Sequence, residues 1–252
     1  MKKYVAFALI AGMGFYLSCS SLPPPKELKK DVDYFHEAMG HFNSKNYFDS
    51  IPAFEKVREK FPLSPYAVLS ELRLGDSHYG KDEYVEASHY FENFRRLHPS
   101  NQHVPYSLFM AGICAYKQIL SHENDQAFSR VALEHFQLLV DIFPTSPYSG
   151  KALCKISEAK QRIAENEFFV GSFYLRKQNY KGAIDRFRKV LQEYPTAIKK
   201  DKLLYYIADA TIQSGNKEKG LRILKLLLAR YPDSDYSPEA TVLIDLHSSA
   251  DG

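Results

Sequence analysis

Five stretches of the chain carry the same ladder of small and bulky apolar residues, and each ends at a ring-bearing residue followed by proline. The landmarks are Phe61-Pro62, His98-Pro99, Phe143-Pro144, Tyr194-Pro195 and Tyr231-Pro232. Eight residues before each proline stand Phe54, Phe91, Phe136, Phe187 and Leu224, and five before it Val57, Phe94, Leu139, Val190 and Leu227. Twelve before it the residue is small: Ser50, Ala87, Ala132, Ala183 and Gly220. Steps of four, three and four residues trace one face of an α-helix. The small residue lets a neighbouring helix approach, the bulky one fills the space beyond it, and the proline ends the helix because its preceding residue avoids helical backbone angles.

A second helix is expected ahead of each of these. Short breaker clusters separate the two: Ser44-Lys45-Asn46, Gly80-Lys81-Asp82, Gln178-Asn179 and Ser214-Gly215-Asn216. Beyond the prolines, Ser64-Pro65, Ser146-Pro147 and Ser237-Pro238 read as helix restarts, with serine as N-cap and proline in the first turn. The unit is helix, turn, helix, ring-proline, and strand signals are absent from the sequence. Such a unit cannot bury its apolar face alone, so neighbours must stack. This predicts an all-α tetratricopeptide-repeat solenoid of about five helix-turn-helix units. The standard period is about 34 residues, whereas successive prolines here stand 37, 45, 51 and 37 apart. The largest excess falls on one long central helix from Pro147 to about Gln178, roughly 48 Å at 1.5 Å per residue.

The ends of the chain change the picture from fold to address. Met1-Lys2-Lys3 and the mostly apolar run Tyr4–Leu17 read as a secretory leader over residues 1–18, too short to span a bilayer. Cys19, in Ser18-Cys19-Ser20-Ser21, is the candidate lipidation site, although Tyr16 stands where such sites usually carry leucine. Residues 19–30, with Pro23-Pro24-Pro25, form a spacer of extended polyproline type. Units 1–3 are then expected over 31–145. The long helix, units 4–5 and a capping helix from Ser237 to about His247 are expected over 146–252. Cys114 and Cys154 read as small buried hydrophobes, not as a disulfide framework or metal site.

Charge excludes one class of partner. The chain has 33 basic against 30 acidic residues, and two of the basic ones, Lys2 and Lys3, belong to the leader. Nucleic-acid binding needs a strong basic excess or stripe, so no nucleic acid is expected. HExxH, P-loop, G-x-S-x-G and Cys/His-cluster patterns do not occur, so the chain reads as no enzyme, with no cofactor and no metal. Binding is left, and 18 Tyr and 17 Phe supply material for it. Tyr34, Arg73, Tyr79, Tyr106 and Met110, on the first helices of the first three units, are candidates for lining a concave client groove. At helical spacing such aromatics serve equally as core. Arg176, Arg186 and Lys189 come from a basic segment in which Ala183, Ile184, Phe187, Val190 and Leu191 face inward. Arg186 and Lys189 are therefore expected to face outward together, as a docking patch for an acidic partner or simply as a solvated helix face.

Several ordered stretches resemble the BamD (YfiO-type) outer-membrane assembly lipoprotein family. They are Phe61-Pro62-Leu63-Ser64-Pro65-Tyr66, Phe143-Pro144-Thr145-Ser146-Pro147-Tyr148, Asp125-Gln126 before Ala132 and Phe136, and Glu167 to Arg176 followed by Tyr180, Ala183 and Arg186. The segment between Ala115 and Gln126 is shorter than in some members. The resemblance implies a lipid-anchored subunit on the periplasmic face of the outer membrane. Its N-terminal repeats would receive unfolded outer-membrane proteins, and its C-terminal repeats would dock on the periplasmic region of a BamA-like barrel subunit, with Arg186 at the family's outward arginine. The alternative is another periplasmic repeat lipoprotein, for example a scaffold for cell-wall enzymes. The repeat register itself is testable: Phe187→Ala should cost about 3–5 kcal/mol, and an unchanged melting curve would overturn the alignment.

Overall fold

The computed structural model describes residues 29–119 and 126–248. Cys19, the leader and most of the spacer lie outside them, as do residues 120–125. Among the described residues there are eleven helices and no strands. Five antiparallel pairs stack in chain order: α1 (Asp31–Asn43) with α2 (Tyr47–Lys60), α3 (Pro65–Gly80) with α4 (Tyr84–Leu97), α5 (Val104–Lys117) with α6 (Ala127–Ile142), α7 (Ser149–Arg176) with α8 (Tyr180–Glu193), and α9 (Lys200–Gln213) with α10 (Lys217–Arg230). α11 (Ser237–Ser248) packs on α10. No helix among the described residues is long and apolar enough to cross a membrane.

All fifteen residues of the three inward ladder positions are buried. What they pack on is a notch in the partner helix. A Cβ added to Gly75 would lie 2.8 Å from the Phe91 ring, one on Gly112 2.5 Å from Phe136, and one on Gly171 2.7 Å from Phe187. In the first pair Ala38 shares a buried cluster with Phe54, and in the last Ala208 shares one with Leu224. Gly171 is thus no break in the long helix but the seat of Phe187. Burying such a ring contributes roughly 1.5–3 kcal/mol.

The turns repeat as closely as the helices. Lys45, Asp82, Gln178 and Gly215 each sit between the two helices of a pair with φ of 59°, 61°, 60° and 89°. In each the amide two residues past the helix reaches back to satisfy a free carbonyl, as in Gln178 N–H to Leu175 O at 3.0 Å.

The ring-proline connections also share a geometry, and it corrects two expectations. Ser64, Ser146 and Ser234 donate their N–H to the carbonyls of Phe61, Phe143 and Tyr231. Their hydroxyls accept the N–H of Tyr66, Tyr148 and Tyr236 at 3.1, 3.3 and 3.1 Å. The capping serine of the last connection is therefore Ser234, while Ser237 lies inside α11 and donates to Tyr231 O at 3.0 Å. The long helix begins at Ser149, not Pro147, because the turn runs on through Tyr148. Its 28 residues span about 42 Å at 1.5 Å per residue. The cysteines divide: Cys114 is buried as expected, but Cys154 is exposed, two positions along α7 from buried Ala152 and so on its opposite side.

Gly171→Ala isolates the notch. The overpacking cost of about 1–3 kcal/mol should exceed the helix-propensity gain of about 1 kcal/mol, so the variant unfolds at lower urea. In a Phe187→Leu background the same change should be neutral or stabilising, and a double-mutant cycle in urea reads the coupling.

Candidate protein-binding surfaces

The basic segment of α8 does come together, but on a partner that the ladder pattern hides. α7 buries one stripe: Ile156, Ala159, Ile163, Ala164, Glu167 and Gly171. Glu167 is the single acidic residue of that stripe, with its side chain 1% exposed. Arg186 Nη1 donates to Glu167 Oε2 at 2.6 Å, and Lys189 Nζ to Oε1 at 2.6 Å. Arg130 of α6 lies 3.7 Å from the same Oε1. One carboxylate thus joins three consecutive helices, and three cations meet it.

Arg186 and Lys189 are accordingly fixed on α7 by this contact while part of each side chain stays exposed, so the face expected to be solvated is also an ion-paired one. Arg176 is exposed at the end of α7, nine positions beyond Glu167 and about 13 Å further along the axis. Burial alone would push the Glu167 carboxyl up, but the hydrogen bonds from Lys189 and Arg186 and their charges outweigh it, and the group is held below its ordinary value of 4.5. The same contact raises Arg186. Beside this cluster an open cleft of about 440 Å³ is lined by Leu133, Leu138, Ile163 and Tyr194 together with Arg130, Gln137 and the carboxylates Glu134 and Asp141.

At the other end of the stack the groove candidates fall into separate neighbourhoods. Arg73 and Tyr106 converge on Asp76, which is 7% exposed: Arg73 Nη1 donates to Oδ2 at 2.6 Å and the Tyr106 hydroxyl to Oδ1 at 2.5 Å. Burial raises the Asp76 carboxyl against the pull of Tyr106 and Arg73. Burial, with the Asp76 charge behind it, also raises the Tyr106 hydroxyl. Tyr106 further packs edge-on to Phe91 and beside Tyr148. Tyr79 and Met110 are half-buried against the same core, and Tyr79 lies 5.6 Å from the Tyr84 ring. Tyr34 stands apart from these four, packed on Phe61 and bonded to Lys60 of α2.

Asp76 and Glu167 are the residues that sequence reasoning passed over. For Glu167 the signal was present: it stands four positions before Gly171 and four after Ile163, on a stripe otherwise apolar or small. The arrangement offers charge, apolar walls and hydrogen-bond donors to another macromolecule.

The YfiO family model, described as an outer membrane lipoprotein, matches residues 28–219. A protein of Caulobacter vibrioides named outer membrane protein assembly factor BamD is 26% identical over 200 residues, 79% of this chain and 66% of that protein. Its namesake in Neisseria meningitidis is 26% identical over 216 residues, 82% of this chain and 81% of the relative. The one in Rickettsia prowazekii is 25% identical over 210 residues, 83% and 84%.

The Glu167 joint has a pH signature. A carboxyl held below its unfolded value adds stability that is complete above 4.5 and is lost as pH falls through the lowered folded value. Glu167→Gln should be about 1–3 kcal/mol less stable at pH 7, and urea titrations at successively lower pH should show the gap to the unmodified chain closing below 4.5.

Proposed function

This chain belongs to the YfiO outer membrane lipoprotein family, and we propose that it is a binding subunit of the machinery that assembles β-barrel proteins into the outer membrane. In this reading Cys19 carries the lipid, the solenoid stands on the periplasmic face, and the chain catalyses nothing. It presents two surfaces. Arg73, Tyr79, Tyr106 and Met110 form the N-terminal groove that receives unfolded outer-membrane proteins. The α6–α7–α8 face around Arg186, Lys189 and Arg130 docks on the periplasmic region of a BamA-like barrel subunit.

The observation that carries the docking half is the cluster of cations fixed at Glu167. A buried carboxylate fixes Arg186 and Lys189 in place with Arg130 beside them, and the Leu133–Leu138–Ile163 cleft, which also carries Glu134 and Asp141, opens next to them. Oriented cations beside apolar walls suit an acidic, partly apolar patch on a folded partner. The relatives' name, assembly factor, supports the same direction.

Pull-down from detergent-solubilised membranes tests it. The barrel subunit should co-purify with the tagged chain. Arg186→Met, which keeps the aliphatic stem, should cut recovery about tenfold or more, since a charge-assisted hydrogen bond is worth about 1.5–3 kcal/mol, while the cooperative melt persists. Cys19→Ala should leave the membrane pellet. Recovery of cell-wall enzymes in place of a barrel subunit would move the reading to the adaptor alternative.

A further inference from the structure

α8 has a second charged side, turned away from Glu167. Lys181, Asp185 and Arg188 follow one another at steps of four and three, so they share a helix face. With Ser214, Asn216 and Lys219 of the last helix pair they line a cleft of about 260 Å³. Arg186 and Lys189 do not line it. They leave α8 on the other side, toward α7.

The cleft is positive. Asp185 is the one acid among its lining residues, against Lys181, Arg188 and Lys219. None of these three cations enters an ion pair among the described residues. The excess continues around the cleft. Together α8 and α10 carry nine Lys and Arg against three acids, Asp185, Glu193 and Glu218. Glu167 of α7 answers Arg186 and Lys189, and Glu218 stands 3.9 Å from Arg222. Neither Glu167, Glu193 nor Glu218 lines the cleft. α10 also begins here. Its N-cap, Asn216, makes no side-chain bond to the first turn, so the positive end of the helix adds to the same field.

The Thr211 and Ser214 hydroxyls on the wall donate to the carbonyls of Ile207 and Thr211 at 2.6 and 2.7 Å. Recognition therefore falls to the cations. Exposed Arg222 and Lys225 follow Lys219 at three-residue steps, so positive charge runs on from the cleft along the outer side of α10. A single small anion would use only the cleft. A chain bearing several carboxylates would use the cleft and the row of cations beyond it. Ile184 gives the cleft an apolar wall, against which the methylenes of a glutamate pack.

We propose that the α8–α10 cleft docks an extended acidic segment of a partner protein, with carboxylates on Lys181, Arg188 and Lys219. It is a separate surface from the α6–α7–α8 face around Arg186 and does not depend on what docks there.

The test uses the full chain carrying Cys19→Ala, so that no lipid enters any arm, and a fluorescent oligoglutamate peptide read by anisotropy at low salt. The peptide should bind, an oligoglutamine peptide should not, and added salt should weaken the complex. Opposite charges at a surface contribute up to about fivefold each, so Lys181→Glu/Lys219→Glu should weaken binding by about tenfold or more. Both side chains are exposed, and a melting curve checks that the variant folds. Lys181→Gln/Lys219→Gln is the second variant should the first not fold, with a smaller loss in the same direction. Lys151→Glu/Lys160→Glu makes the same change of charge at exposed positions of α7 and should leave binding within about twofold. No loss from the cleft variants, or an equal loss from the α7 variant, would overturn the proposal. So would binding to phosphatidylglycerol vesicles that the cleft reversals abolish, with no binding of the peptide, which would give the surface to a membrane instead. Docking at Arg186 is read by recovery of the barrel subunit, so the two readings fail independently.

Discussion

Three of the five helix pairs are held by a phenylalanine of the second helix seated against the bare backbone of a glycine in the first, and in the outer two an alanine, Ala38 or Ala208, shares the cluster of the bulky residue. Phe91 on Gly75, Phe136 on Gly112 and Phe187 on Gly171 leave no room for even one methyl group. This contact sets how closely the two helices approach, and that distance sets how the next pair can stack. The ladder residues on either side, such as Ala183 and Val190 around Phe187, then meet the neighbouring helices and close the core. Close packing of this kind fixes geometry as well as energy, since interiors are nearly as dense as crystals of small molecules.

The long helix puts a second demand on the stack. α7 packs on α6 ahead of it and on α8 behind it, so it belongs to both halves. Apolar contacts alone have little directional preference, and a helix of 28 residues lying between two neighbours could settle in more than one rotation. Glu167 restricts that choice. Its two oxygens are taken by cations from α8, and Arg130 of α6 stands close by. A rotation of α7 that removed the carboxylate from these partners would leave it buried without them, which is far more costly than losing a surface pair.

The ladder was legible because it repeats: five copies of one spacing reveal which face is inward, whatever the identity of each residue. The notch was equally present and harder to read. Ala38, Gly75, Gly171 and Ala208 each stand 16 residues ahead of Phe54, Phe91, Phe187 and Leu224, but a lone glycine reads first as a weak point in a helix. In the third pair the separation from Gly112 to Phe136 grows to 24, because the connection between those helices is longer, and the regularity is broken. Side-chain partnerships were the least legible. Arg186 and Lys189 were placed on one face by their spacing, yet whether that face meets water or a carboxylate depends on the rotation of the preceding helix. The ring-proline turn misled for a local reason. Ser-Pro looks like a helix start wherever it occurs, whereas the capping serine is set by its distance from the ring residue, which selects Ser234 over Ser237.

The Glu167 cluster also bears on why a carboxylate persists on an otherwise apolar stripe. A leucine there would continue the stripe, and buried ion pairs exchanged for apolar groups are often neutral or stabilising. The desolvation cost falls mainly on Glu167, since Arg186 and Lys189 keep 39% and 36% of their side-chain surface in water. With leucine in that place both cations would lose their fixed partner and sample many rotamers. Ordering a long charged side chain on binding costs about 0.5–1.5 kcal/mol each. The carboxylate meets that cost during folding, so a partner arriving at this face finds the guanidinium and ammonium already oriented. A stability contribution that is modest at best is thereby converted into a surface with a defined direction, which is what the docking role proposed above would require of an otherwise uniform stack of helices.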